Sequence, residues 1–251
     1  MLRLWPETIT AGLFPGYCWV RRGAVRTAGA ADGAPDMLLA ELGTLLSRLP
    51  APGKRPRNLH LVVSDGLAAV TQLPWQEKLT SKAELAAYAS ACYERQGDDI
   101  DDTWATQTGF RHFGAAGLAY ALPQAWLRQL KTVADQSGAT LKTVLPVSAA
   151  AYWRRPASPG GGQSVLLLNE ARRLTGLVYE AGRLARVDVQ PVTQDPAVAG
   201  TRLLTRLVAG HGQIRHVGFW SAAEDSAVAP PYIQFCLPDA AVTIMPAGAW
   251  S

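Results

Sequence analysis

Residues 165–192 read VLLLNEARRLTGLVYEAGRLARVDVQPV. Three runs rich in Val, Leu and Tyr are separated by short polar turns, the pattern of three consecutive antiparallel strands. Asp195 then stands where a helix cap is expected and Pro196 at the first helical position. Leu203, Leu204, Leu207 and Val208 recur at helical spacing, Gly210 supplies the stop, and Ile214 to Trp220 reads as a further strand. The order is therefore β-β-β-α-β. The turn inside the first strand pair, Asn169-Glu170-Ala171-Arg172-Arg173, is charged and contains no glycine.

Upstream, Pro156 to Gly162 (PASPGGG) has the composition of a flexible connection. It divides the chain into a first part at 1–155, a linker at 156–163 and a second part at 164–251. The first part also alternates strand pairs with single helices. ITAGLFPGYCWVRRGAV predicts a hairpin turning at Pro15-Gly16, followed by a Gly/Ala-rich loop. Asp36 is expected to cap a helix carrying Leu38, Leu39, Leu42, Leu45, Leu46 and Leu49, with Pro50 ending it. After a basic turn from Lys54 to Arg57, Leu59–Val63 and Leu67–Leu73 read as a strand pair hinged at Asp65-Gly66. Ser81 and Glu84 form a capping box ahead of Leu85, Tyr88, Ala89 and Cys92. Strands are expected at Thr103–Arg111 and Gly117–Leu122. Pro123 then opens a helix with Trp126, Leu127, Leu130 and Val133 buried and Gly138 as its stop. A strand from Thr140 to Pro146 and a short helix to Trp153 complete this part. Mixed α/β is the class these alternations require.

At 251 residues the chain can bury one large core or two small ones. A formal charge of only +4, with arginines scattered in pairs, argues against a nucleic-acid partner, and contact with an anionic membrane surface is a minor alternative. No stretch approaches the roughly 18 apolar residues of a membrane span, and MLRLWPETIT lacks a signal-peptide core, so a soluble chain is expected. Cys18, Cys92 and Cys236 are odd in number and far apart. They are read as small core residues in a reducing compartment.

Three further stretches carry a family likeness: LHLVVSDGLAAVTQLPW (59–75), the acidic turn GDDIDD (97–102), and LAYALPQAWLRQLKTVADQSGATLKTVLPVSAAAYW (118–153). With them, roughly residues 8 to 220 resemble the cytoplasmic actin-like proteins of type IV pilus and type II secretion assemblies, the PilM and GspL families. The three-strand unit at 165–192 then resembles an RNase H-like half-domain. The resemblance implies an actin-like, doubled RNase H-like fold with two lobes and mixed sheets. It also implies a cytoplasmic scaffold at the inner face of the bacterial inner membrane. Its partners would be an assembly ATPase and bitopic (single-span) inner-membrane subunits. Pilus-type members bind nucleotide and grip the N-terminal tail of a membrane partner, whereas secretion-type members dock the ATPase and have a decayed nucleotide site.

A phosphate site needs consecutive amides brought close by glycine, and a carboxylate for the metal and its water. Phe14-Pro15-Gly16-Tyr17 lacks the Asp-x-Gly pattern of nucleotide-binding relatives. Glu170 offers a carboxylate and Arg172 or Arg173 a phosphate partner, yet Ala171 leaves the turn without glycine. Charged residues on an exposed hairpin turn are the simpler reading of 169–173. The leading expectation is thus a non-catalytic scaffold without cofactor. The rival is an ATP/Mg-binding adaptor whose nucleotide state gates partner binding, with Glu170, Arg172 and Arg173 as its residues. A small-molecule transferase rests on fold analogy alone, since no general base stands out.

Other chemistry finds little support. Gly160-Gly161-Gly162 precedes Gln163 and so is no P-loop. His60, Ser64 and Asp65 lack a nucleophile elbow. Asp98, Asp99, Asp101 and Asp102 lack the spacing of a calcium loop, and His211, His216 and Cys236 lack a second metal-binding pair. Of eight tryptophans, Trp19 and Trp126 read as core. Trp75, Trp153 and Trp220 stand at element ends, where they could mark a partner surface or pack between the lobes. An exposed edge strand in either lobe could pair two copies.

Overall fold

A computed structural model describes residues 5–50, 55–79, 81–154, 162–193, 195–209, 213–222, 228–246 and 248–250. The chain opens as a meander of β1 (Glu7–Phe14), β2 (Tyr17–Arg22) and β3 (Val25–Gly29). β3 lies in the stretch read as a loop. Its sequence VRTAG has one exposed valine and two small residues, too little apolar pattern to register as a strand. Helix α1 (Pro35–Ser47) follows, then β4 (Arg57–Val63). β4 runs parallel to β1 on one side and to β8 (Ala139–Pro146) on the other, giving the sheet order β3-β2-β1-β4-β8.

The second lobe repeats that plan. β9 (Gln163–Glu170), β10 (Arg173–Glu180) and β11 (Arg183–Pro191) form the meander expected from residues 165–192, and α5 (Pro196–Ala209) and β12 (Ile214–Ser221) follow. Helix α6 (Pro231–Cys236) and the edge strand β13 (Ala241–Ile244) lie beyond the elements read from sequence. The order β11-β10-β9-β12-β13 matches the first sheet strand for strand, with β12 parallel to both its neighbours. The β10–β11 turn places Ala181 at φ 48° and Gly182 at φ 78°, the two left-handed residues that a tight hairpin with native twist requires.

Inserted after β4 is a three-stranded antiparallel sheet of β5 (Ala69–Leu73), β6 (Trp104–Gly109) and β7 (Gly117–Pro123), ordered β5-β7-β6 and backed by α2 (Lys82–Gln96). β4 and β5 are therefore not the hairpin that Asp65-Gly66 suggested. Both edges of β4 are taken by β1 and β8, so the chain must leave that sheet, and Asp65–Leu67 is a single 3-10 turn between two sheets. Helix α3 (Gln124–Gln136) returns to the first sheet, and α4 (Val147–Arg154) leaves β8 toward the second lobe.

The helix caps refine the sequence reading. α1 begins at Pro35 with extended Ala34 as its cap, so Asp36 sits in the first turn, where its charge faces the N-terminal amides. It ends at Ser47, before Pro50. Pro123 is the last residue of β7 and caps α3 from outside the helix. The Ser81–Glu84 capping box forms as expected, and Asp195 accepts from the Ala197 amide at 2.8 Å. Residues 156–161 of the expected linker, together with Lys54, Gly210 and His211, lie outside the described residues; Gln163 already belongs to β9.

Each sheet has its own apolar core. Leu38, Leu42 and Leu45 of α1 and Leu130 of α3 cover the first sheet, and Leu203, Leu204 and Leu207 of α5 cover the second. A third cluster spans the lobes: Phe14 and Val62 meet Leu166, Leu168, Leu177 and Trp220, with the apolar face of α4 between them. Cys18 and Cys92 are buried and Cys236 is half-buried, all three as free thiols. Among the described residues no helix is long and apolar enough to cross a membrane.

The α5–α6 contact is close enough to test this packing. A Cβ on Gly200 would stand 2.3 Å from the Tyr232 ring. Gly200→Ala is expected to destabilise the protein by about 1–3 kcal/mol through overpacking, read as a lowered urea midpoint with unchanged slope.

Candidate functional site

Three chain segments converge where the lobes meet: the 3-10 turn after β4, the start of α4, and the β9–β10 hairpin. The turn is shaped by Ser64, whose hydroxyl accepts from the Gly66 amide at 3.1 Å. This sends the Asp65 side chain inward, where it is fully buried. One oxygen of Asp65 accepts from the backbone N–H and the hydroxyl of Ser148, each at 3.0 Å, and the other from the Thr175 hydroxyl at 3.4 Å. The Asp65 carboxyl thus joins the first sheet's exit, the interlobe helix and the second sheet.

Glu170 closes the arrangement from the opposite side. Both its oxygens face the Asp65 amide, at 3.3 and 3.2 Å, and the residue is 2% exposed. The Ser64 hydroxyl also bonds to it. Arg173 reaches the Asp65 carbonyl through Nη1 at 3.4 Å, and its buried Nε has no protein partner. Burial raises the Asp65 pKa against the pull of Arg173 and the Ser148 and Thr175 donors. Burial first, and then the charge of Asp65, push Glu170 up to about 8. Near neutral pH the two acids therefore hold at least one proton between them.

A cavity of about 560 Å³ adjoins this cluster, lined by Pro15, Asp32 and Gly33 from the first lobe, Ser64, Gly66 and Leu67 from the turn, and Glu170, Arg172 and Arg173 from the second. It lies between the two hairpin turns that would hold phosphates in a nucleotide-binding cleft of this kind. The residues present do not suit that task. Pro15 has no amide hydrogen, and the Gly16 amide is donated to the Ala31 carbonyl at 2.9 Å. On the other side the carboxyl that would hold a metal and its water is turned onto the chain's own backbone.

The expected site residues are thus redistributed. Asn169 is half-buried at the end of β9, Ala171 and Arg172 are exposed, and Arg173 opens β10 half-buried. Glu170 is not on an exposed turn, because its burial is set by Asp65, 105 residues away in sequence. Asp65, Ser148 and Thr175 were not assigned this role from sequence. Only the inward turn of Asp65 gives them a common target, and an Asp-Gly pair between apolar runs signals a hairpin instead. His60 points elsewhere, its Nδ1 2.9 Å from the Thr143 hydroxyl.

The three tryptophans also separate. Trp220 is 1% exposed and packs against Phe14 with ring centres 5.5 Å apart, so it belongs to the interlobe core and not to a surface. The end of β12 lies at the lobe junction, which is why the last large side chain of that strand is covered. Trp75 is half-buried, edge-on to Phe110 and Phe113, while Trp153 is 39% exposed beside Tyr152. Asp101 accepts from the Thr103 amide and hydroxyl, closing its own turn. Among the described residues no three His, Cys, Asp or Glu side chains gather as metal ligands would.

No protein-family model matches the chain, and no curated protein matches it by sequence. Solved structures do match it. A PilM-PilN type IV pilus biogenesis complex superposes with a TM-score of 0.67 at 11% identity, over 99% of this chain and 90% of that one. A Bacteroides thetaiotaomicron protein with an actin-like ATPase fold and unknown function gives 0.63 at 10% identity, over 95% and 90%. The cytoplasmic domain of EpsL, an inner-membrane component of the Vibrio cholerae type II secretion system, gives 0.52 at 13% identity, over 93% and 94%. At these identities the likeness is one of architecture: the chain has the two-lobed actin-like fold found in pilus and type II secretion proteins.

Proposed function

We propose that the chain is a non-catalytic, nucleotide-independent scaffold of a type IV pilus or type II secretion machine, linking an assembly ATPase to bitopic inner-membrane subunits at the inner face of the membrane. The observation that carries this reading is the internal use of two groups at the cleft. Glu170 is held on the Asp65 amide, and the Gly16 amide is donated to Ala31. The shared fold with the PilM-PilN and EpsL structures supports the class of machine.

A groove suited to an extended segment lies between the first sheet and the inserted one. β8 and β6 are the outer strands of their respective sheets. Between them Tyr120, Leu122, Leu127, Leu141 and Leu145 line a cavity of about 440 Å³. Strand edges supply backbone hydrogen bonds and an apolar floor supplies side-chain pockets, the combination used in strand-addition recognition. In this reading the N-terminal tail of the membrane subunit docks there.

Two measurements test the proposal. Titration calorimetry with Mg-ATP at millimolar concentration is expected to give no binding heat. Micromolar binding, roughly −8 kcal/mol, would instead make a nucleotide-gated adaptor the correct account. In pull-downs with the assembly ATPase and with the bitopic subunit, both are expected to be retained, and failure to retain either would refute the scaffold role. Leu127→Ala should weaken capture of the subunit's tail peptide roughly tenfold, with a modest fall in thermal stability because Leu127 also packs against the first core.

A further inference from the structure

The acid pair lies across the boundary between the lobes. Asp65 belongs to the exit of the first sheet, and Glu170 to the end of β9 in the second. Facing them are the Ser64 hydroxyl from the turn, the Ser148 amide and hydroxyl from α4, and Thr175 and Arg173 from β10. Arg172 from the hairpin turn and Asp32 from the loop before α1 line the adjoining cavity. Arg173 is the one cation bonded to this cluster among the described residues, and it reaches a carbonyl, not a carboxylate. A single cation balances one negative charge. Two ionised carboxylates this deeply buried beside one another are strongly disfavoured.

We propose that Asp65 and Glu170 form a proton-held latch: while the pair keeps a proton the lobes stay closed across it, and when both carboxyls are ionised their mutual repulsion outweighs the bond from the Asp65 amide and the lobes part on the cavity side. The interlobe apolar cluster around Phe14 and Trp220 lies beside the latch and serves as the hinge. This device does not depend on which machine the chain serves, nor on whether it binds a nucleotide.

The sign follows from linkage. In the open state Glu170 meets water and titrates near its ordinary value of 4.5, whereas in the closed state it holds its proton up to about 8. The latch is at full strength below the lower value and weakens as pH rises toward the upper one, after which it changes no further. Over that window the opening constant rises by up to about tenfold per pH unit.

Hydrogen exchange read by mass spectrometry on the intact chain tests this, with rates corrected for the intrinsic pH dependence of exchange. Between about pH 5.5 and about pH 8, peptides spanning 64–67 in the wild type should lose protection by up to tenfold per unit, while those covering β1, β4 and α4 keep theirs. In Glu170→Gln, which retains the shape and leaves Asp65 as the single acid of the pair, corrected protection should fall with pH clearly less steeply than in the wild type. Flat protection in the wild type would overturn the proposal, as would an equal slope in Glu170→Gln or a parallel loss across every peptide. Should the variant not fold, the wild-type slope and its confinement to the junction decide the matter.

Discussion

The fold turns on one buried carboxyl. Asp65 is fully enclosed, and burying an acid without partners would be strongly unfavourable. It is tolerated because Ser148 offers an amide and a hydroxyl, and because Thr175 reaches across from the other lobe. Those donors belong to two elements, α4 and β10, that are remote in sequence from Asp65. Satisfying one side chain therefore fixes the exit of β4, the entry of α4 and the position of β10 together. Removing a single donor would leave the others around an incompletely solvated acid, so the cluster behaves as a unit.

Around that junction, each lobe solves the same packing problem in the same way. A local meander supplies three antiparallel strands, one helix covers them, and a parallel strand enters beside the first strand of the meander. The central strands β1 and β9 are paired on both sides, and their apolar runs are almost continuously buried. The lobes then share the cluster of Phe14, Trp220 and the alanine-rich face of α4, where small side chains let the helix pack against β4, β7 and β8. At the hairpin turns of the two meanders, the first carries Pro15 beside Gly16 and the second leads out of a buried glutamate, Glu170.

Much of the architecture was legible in the residues. The meander at 165–192 announced itself through strand-length apolar runs, and α1, α2, α3 and α5 through leucine or capping patterns close to those observed. What stayed hidden was short or decided at a distance. β3, α6 and β13 have four to six residues each, too few for a period to emerge. The Asp65-Gly66 pair carried the local signature of a hairpin, but β4 had no free edge to accept one. Glu170 looked like a surface charge because nothing near it in sequence reveals its partner. The partial burial of Trp75, the exposure of Trp153 and the burial of Trp220 likewise depend on tertiary neighbours that element ends alone do not specify.

The inserted three-stranded sheet bears on how such a chain can be assembled and altered. β4 reaches β8 only after the whole insertion, with Leu59 opposite Leu141, while the β9–β10–β11 meander needs only local contacts. Local pairing forms early, and the long parallel closures come late. Yet the entropy of closing a loop grows only with the logarithm of its length, about 0.6 kcal/mol for each doubling. Lengthening, shortening or redecorating the insertion thus scarcely changes the free energy of closing the sheet that holds it. The region presenting Trp75, Phe113 and the free edge of β6 can diverge quickly between relatives, while the buried junction beneath it stays under tight constraint.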